Sequence, residues 1–243
     1  MRGVICAGGE GTRLRPLTHV TNKHLLPVYD QPMVYYPIET LLGAGIDDIM
    51  LVTGREHAGA FMKVLGSGEE LGVKITYRIQ ERSGGIAEAI SLTEDFCRDE
   101  SVAIILGDNI YENVPDTASF TSGARLYLTP REPEELKRFG VATTRDNKII
   151  KIVEKPAQPE GAYAVTGFYV YDNTVFERIR HCKPSRRNEL EITDVNNSYV
   201  EDGSCAYVVI AGEWTDAGTF ESLYRATALA RHKHHADGLM QED

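Results

Sequence analysis

Apolar and polar residues follow one another along this chain in blocks of strand and helix length. Residues 4–7, 49–53 and 102–106 are nearly unbroken apolar runs, each followed directly by a glycine. Short apolar runs bounded by turn residues predict strands buried on both faces. Residues 102–106 are the most uniformly apolar and are placed at the centre of the sheet. Between the runs lie helical patterns: residues 33–44 predict a helix closed by Gly45, 58–65 a short helix stopped by Gly66, and 86–96 a third. Residues 73–80 alternate apolar with polar, which predicts a strand near the sheet edge or with one wet face.

The second half is less regular. Residues 124–129 and 141–144 predict strands, and Arg145-Asp146-Asn147-Lys148 a hairpin turn into a further strand over 149–153. Residues 163–171 and 205–210 predict two more. Helices are predicted over 174–180, 193–201 and 220–232, with Thr193 and Thr219 as N-caps. No internal repeat or low-complexity linker interrupts this order, so residues 1–243 are read as one domain. Strand–helix alternation followed by consecutive strands predicts an α/β fold: a single-domain Rossmann-like open mixed sheet, parallel early and partly antiparallel later, with helices on both faces. Ligands then belong at the carboxyl ends of the strands.

Composition narrows the class. Of 243 residues 42% are hydrophobic and 26% charged, ordinary values for a soluble globular protein. The formal net charge of −10 argues against a nucleic-acid partner, which calls for clustered Lys and Arg. It leaves room for a mononucleotide, which needs only a local basic patch. No apolar run approaches the ~20 residues of a membrane span, and residues 4–7 are too short for the apolar core of a secretory leader. Cys6, Cys97, Cys182 and Cys205 are scattered, with no Cys-x-x-Cys pair. Reduced thiols in a cytoplasmic protein are therefore expected, and structural zinc is not.

The candidate chemistry gathers after the first strand. Ala7-Gly8-Gly9-Glu10-Gly11-Thr12-Arg13-Leu14-Arg15-Pro16 is followed by Lys23-His24-Leu25-Leu26-Pro27. A glycine loop can take positive φ and bring backbone N–H groups to an anion; Arg13 adds a planar fork of donors and Lys23 a point cation. A nucleoside triphosphate site is one reading; for the glycines alone, a tight strand-to-helix turn is the other. Two commoner phosphate loops fail. The Walker form needs Gly-Lys-Ser/Thr where Gly11-Thr12-Arg13 stands, and the dinucleotide fingerprint needs glycine where Leu14 stands. Asp108, directly after the 102–106 strand, reads equally as a hard-oxygen Mg2+ ligand or as a turn aspartate. Asp216 by itself reads as a helix-start carboxylate. Gln80 carries an amide that can donate and accept along a pyrimidine edge, and Glu154-Lys155 alone is an ordinary surface pair. Arg231-His232-Lys233-His234-His235 reads as a solvated tail on a frayed helix end rather than a metal site.

The joint occurrence of Ala-Gly-Gly-x-Gly-Thr-Arg-Leu-x-Pro and Lys-x-Leu-Leu-Pro resembles the sugar-1-phosphate nucleotidylyltransferases, most closely those that join dTTP to glucose 1-phosphate. Gly107-Asp108-Asn109, Phe139-Gly140-Val141, Glu154-Lys155-Pro156, Tyr163-Ala164-Val165-Thr166-Gly167, Glu189-Leu190-Glu191-Ile192-Thr193-Asp194 and Trp214-Thr215-Asp216-Ala217-Gly218-Thr219 extend the likeness over residues 2–230. The resemblance implies an enzyme that makes dTDP-glucose and pyrophosphate with Mg2+ as cofactor. It implies catalytic roles for Arg13 and Lys23, and nucleotide contacts from Gly8, Gly9, Gly11, Thr12, Arg13, Lys23, Gln80 and Gly85, the last two at the thymine. By the same resemblance Asn109, Gly140, Glu154, Val165 and Tyr169 line the sugar pocket. Lys155 and Arg187 hold the sugar's phosphate, and Asp108 and Asp216 the metal. The nucleotide-binding half then spans residues 1–110 and the sugar-phosphate half 111–230. A homo-oligomer is expected. Two departures stand out: His24 replaces a frequent glutamine, and the chain resembles a short form without the helices that build an effector site.

Three rivals remain. The same chemistry with UTP or another sugar 1-phosphate is one; thymine and uracil differ by one methyl, ~1–3 kcal/mol of discrimination. A glycosyltransferase would carry Asp-x-Asp, which Gly107-Asp108-Asn109 does not supply. A nucleotide sensor without catalysis would be expected to lack one of Arg13, Lys23, Asp108 or Asp216, and all four are present.

Overall fold

Strand and helix alternate through the first half as the apolar blocks predict. The computed structural model describes residues 1–239, with side-chain surroundings as far as His234. It begins with β1 (Arg2–Ala7), the small hairpin β2 (Pro27–Val28) and β3 (Gln31–Pro32), α1 (Tyr35–Gly43), β4 (Asp48–Gly54), α2 (Ala58–Leu65), β5 (Lys74–Gln80), α3 (Ile86–Ser91), α4 (Glu94–Cys97) and β6 (Val102–Leu106). It continues with β7 (Asn109–Tyr111), β8 (Ala124–Pro130), α5 (Pro133–Leu136), β9 (Gly140–Arg145), β10 (Lys148–Glu154), β11 (Tyr163–Tyr171), α6 (Val175–His181), α7 (Ile192–Glu201), β12 (Cys205–Val209), β13 (Trp214–Asp216) and α8 (Phe220–Leu239).

Successive strand side chains point to opposite faces, so an unbroken apolar run needs cover on both. On β1, Val4 joins one layer and Ile5 and Ala7 the other; β4 divides Met50 and Val52 from Ile49 and Leu51 in the same way. The first face is covered by α3, α6 and α7 through Ile90, Phe176, Ile179 and Val195. The second is covered by α1 and α2 through Ile38, Leu41, Phe61 and Leu65. Each such buried Leu, Ile or Phe contributes about 1.5–3 kcal/mol by leaving water.

The described residues form a nine-stranded sheet whose main path runs β12-β8-β11-β6-β1-β4-β5, with the β9–β10 hairpin added beside the start of β11. Strand β6 lies mid-sheet and β5 at the edge, as the apolar and alternating patterns require. Strands β6, β1, β4 and β5 are parallel, β11 is antiparallel to β6 and β8, and β12 is parallel to β8. The chain winds outward from β1 to β4 and β5, then returns to the other side of β1 as β6. That reversal opens a crevice at the carboxyl ends of β1 and β6, where the Gly8–Gly11 turn and Asp108 emerge.

Local chemistry explains where the boundaries fall. Gly45 (φ 77°) closes α1: its N–H bonds Leu42 O and that of Ile46 bonds Leu41 O, each at 2.9 Å, the two bonds of a Schellman motif. Asp146 and Asn147 both have φ near +50–58°, the paired left-handed residues of a type I′ hairpin turn. The helix predicted over 86–96 is two helices. Buried Thr93 donates its hydroxyl to Ile90 O (2.7 Å), and its own carbonyl accepts from Phe96 and Cys97 to start α4. Thr219 caps α8 reciprocally with Ser222, Ser222 N to Thr219 Oγ1 at 3.2 Å and Thr219 N to Ser222 Oγ at 3.0 Å. Thr193 does not cap α7; that helix begins one residue earlier. Helix α8 also runs past the predicted end at 232 instead of fraying there, and exposed His234 stacks edge-on to Tyr29. The side chain of His235 lies outside the described residues.

Candidate active site

Leu14 is fully buried beneath α8 with Ala217 and Ala226. Burying it fixes the short helical turn Thr12–Leu14 and leaves its neighbours Thr12 and Arg13 exposed at the cleft. Gly11 opens that turn in the left-handed region (φ 64°), and a Cβ there would lie 2.8 Å from Lys23 Cβ. Any other residue would meet both a conformational and a steric penalty. Lys23 sits in a second short turn capped by buried Asn22, whose Oδ1 accepts from His24 N at 3.0 Å.

Two aspartates far apart in sequence meet through the β7–β13 ladder, where Asp216 pairs with Asn109 and Ala217 N donates to Asp108 O at 2.8 Å. Lys23 Nζ donates to Asp108 Oδ2 at 2.5 Å, and Asn109 Nδ2 to Asp108 Oδ1 at 2.8 Å. Burial alone raises the Asp108 carboxyl, but Lys23 and these hydrogen bonds outweigh it and hold the group well below the usual carboxylate range. The Asp216 carboxyl is raised, first by burial and then by the charge of Asp108, against the opposing pull of Arg138, Arg13 and Lys23. Arg138 Nη2 donates to both Asp216 oxygens, at 3.0 and 3.1 Å. Gly218 leaves room for the Arg13 guanidinium and Asp216 to share one space; each would lie 2.9 Å from a Cβ there.

Asn109 is the hinge pin of this arrangement. Its Oδ1 accepts from Trp214 Nε1 (2.7 Å) and from Gly167 N (3.0 Å). Gly167 falls where the β8–β11 register shifts between Val165 and Tyr169. The irregularity frees its N–H from the ladder to hold Asn109.

One cleft of about 570 Å3 is lined by every residue to which the sequence gives a nucleotide, sugar-phosphate or metal role. At one end lie Gly8, Gln80 and Gly85; Gln80 Nε2 donates to Glu88 Oε2 (2.8 Å) and Gly85 O (3.2 Å), and Gly85 takes φ 95°. At the other end Gly140 pairs with Glu154 across the β9–β10 hairpin. Glu154 accepts from Thr193 Oγ1 at 2.7 Å, which is the work that hydroxyl does in place of capping. Lys155 Nζ lies 3.0 Å from Glu154, and Arg187 is held by Glu191 at 2.9 Å with Glu189 and Glu154 close by. Val165 and Tyr169 form the apolar wall between the two ends.

Four contributors escaped the sequence reading: Arg138 on Asp216, Glu88 on Gln80, Trp214 on Asn109, and Thr193 on Glu154. Arg138 directly precedes the Phe139-Gly140-Val141 match and was in reach of that signal; nothing local marks Glu88. His24 is buried, with Nδ1 2.7 Å from Asn22 Oδ1. Burial and then the Lys23 charge push its pKa down to about 3, so it is neutral near pH 7.

The nucleotidyl transferase family model matches residues 2–233. The chain belongs to the nucleotidyl transferase family. It is 41% identical over 241 residues to a glucose-1-phosphate thymidylyltransferase of Neisseria meningitidis, covering 95% of this chain and 83% of that one. The enzyme of the same description from Mycobacterium tuberculosis is 41% identical over 249 residues, 98% of this chain and 85% of the relative. A Bacillus anthracis crystal structure described under that activity, in complex with sucrose, superposes with a TM-score of 0.90 at 49% identity, covering 95% of each chain. A UDP-glucose pyrophosphorylase shares the fold at a TM-score of 0.80 and 24% identity.

The donor set fits one divalent ion. Buried Asp108 and partly buried Asp216 line one cleft, and their mutual repulsion is the condition a cation relieves. Mg2+ takes one or two carboxylates and completes its shell with substrate phosphates and water. Among the described residues no group of three or more His, Cys, Asp or Glu that could hold a metal ion is found. Among the described residues no helix is long and apolar enough to cross a membrane.

Proposed function

We propose that this family member transfers the nucleotidyl group of dTTP to glucose 1-phosphate, giving dTDP-glucose and pyrophosphate. The observation that carries the reading is the convergence of the Gly8–Gly11 turn, Arg13, Lys23, Asp108 and Asp216 at the mouth of β1 and β6. The thymidylyltransferase activity named for its relatives supplies the choice of dTTP and glucose 1-phosphate.

A phosphate monoester has a second pKa of ~6 and is largely dianionic near neutral pH. Its oxygen attacks the α-phosphorus of dTTP, a P–O bond forms, and the bond to the departing pyrophosphate breaks on the opposite side. No general base is needed. The barrier is the meeting of like charges. The turn's N–H groups and Arg13 hold the β- and γ-phosphates and neutralise the leaving pyrophosphate; Lys23 serves the phosphates at the reacting centre. Asp108 and Asp216 would hold Mg2+, which supplies charge neutralisation between the phosphates when bound. Gly8, Gly9 and Thr12 border the triphosphate, and Gln80 and Gly85 the thymine. Asn109, Gly140, Glu154, Val165 and Tyr169 line the sugar pocket. Lys155 and Arg187 take the sugar's phosphate by exchanging their carboxylate partners for it. The nucleotide thus belongs to about residues 1–110 and the sugar phosphate to about 111–230, with Asn109 at the border serving the sugar. A cytoplasmic homo-oligomer completes the reading, in keeping with four free thiols.

A matrix of nucleoside triphosphates against sugar 1-phosphates with Mg2+, read by pyrophosphate release, tests this. Release is expected with dTTP and glucose 1-phosphate above every other pair. Release with no pair defeats the transferase reading.

A further inference from the structure

Gln80 is nearly buried at the end of β5, and its amide can face the cleft in either of two ways. Its surroundings decide between them. Nε2 lies against two groups that can only accept, the Glu88 carboxylate at 2.8 Å and the Gly85 carbonyl at 3.2 Å. A flipped amide would set its oxygen against both. The carbonyl oxygen therefore faces the opposite way, over the glycine turn, 2.7 Å from where a Cβ on Gly8 would stand. Glu88 is itself fixed. Its other oxygen accepts from Arg82 Nε at 2.6 Å, and its carboxylate lies against Gly84, where a Cβ would overlap it. The Glu88 side chain is only 13% exposed, against 79% for Arg82, so Glu88 rather than Arg82 determines the geometry at the amide.

We propose that Glu88 is a positioning residue for base selection: it holds Gln80 with its oxygen toward the cleft, so that the site accepts a pyrimidine bearing an imide N–H and rejects one bearing a bare ring nitrogen. This rests on the reading of Gln80 as the base-contacting group. Thymine and uracil present N3–H to that oxygen; cytosine presents a lone pair, and two acceptors facing each other repel.

Isothermal titration of dUTP and dCTP, which share a deoxyribose and lack the thymine methyl, into the full chain with Mg2+ isolates this effect. The wild-type protein is expected to favour dUTP at least tenfold. Glu88→Leu should cut that ratio at least fivefold, by weakening dUTP and strengthening dCTP, with an unchanged melting temperature. Glu88→Gln keeps an oxygen available to Gln80, leaves the Gly85 carbonyl in place, and should hold the ratio within about threefold. Gly84→Ala displaces the carboxylate without altering it and should lower the ratio as Glu88→Leu does, which covers the case of a leucine variant that does not fold. Equal wild-type affinities for dUTP and dCTP, or a wild-type ratio in folded Glu88→Leu or Gly84→Ala, would overturn the proposal. Selective binding without pyrophosphate release would support it and defeat the transferase reading alone.

Discussion

Arg13 and Lys23 carry the same charge but are held differently. Arg13 is exposed on a turn whose shape is set by buried Leu14, so its removal costs the fold little. Arg13→Ala should lower turnover about 10²–10³-fold, the usual loss for one oriented charge-stabilising donor, with melting unchanged by calorimetry; near-normal turnover would remove it from the mechanism. His24 makes a prediction in pH. Its folded pKa of about 3 lies below the ordinary 6.5, so between those values the unfolded chain binds a proton that the folded protein refuses. Stability from this residue is whole above pH 6.5 and is lost as pH falls toward 3, on the order of a few kcal/mol. His24→Gln should flatten the denaturation-midpoint profile across that window. At this scale the sequence was most legible where a motif was long: the glycine turn, Lys23 and the two aspartates all line one cleft. Glu88 was not legible, because a partner chosen by tertiary packing leaves no trace in local spacing, whereas Arg138 stood beside the Phe139-Gly140-Val141 match.

At the scale of elements, the apolar runs of β1, β4 and β6 were plain because both faces need cover. The breaks were less so. Thr93 divides a helix by a side-chain bond to its own backbone, and Thr193 answers Glu154, on another element, instead of its own helix end. The three-residue strands β7 and β13 are too short for any periodicity, yet they bring the aspartates together. Asn109 joins that pair to β11. Asn109→Ala leaves the Trp214 and Gly167 N–H groups buried without acceptors, at about 1–3 kcal/mol each. The expected outcome is a melting temperature lowered by several degrees and a fall in turnover exceeding the fraction unfolded, read by calorimetry and steady-state assay on the same preparation.

Across the whole molecule, the order β5-β4-β1-β6 places the crevice, and the antiparallel additions β11, β8 and β12 give it a second wall. The chain thereby brings Arg13, Lys23, Arg138, Lys155 and Arg187 into one cleft, set among the carboxylates of Asp108, Glu154, Glu191 and Asp216, in a protein whose net charge is −10. Helix α8 supports the glycine turn from below, sharing one buried cluster with Leu14 through the small residues Ala226 and Ala230. Ala226→Leu should cost about 1–3 kcal/mol by overpacking and lower turnover with dTTP by shifting Arg13; an unchanged melting temperature would show that α8 does not set the turn. The central claim is that these groups let two phosphates meet. Phosphorus NMR of the wild-type protein with dTTP, glucose 1-phosphate and Mg2+ tests it most directly. The account predicts that the resonances of a sugar-linked diphosphate and of pyrophosphate rise together, and that both vanish in Asp108→Asn. Hydrolysis of dTTP without the joined product, or a product spectrum unchanged in Asp108→Asn, would contradict it.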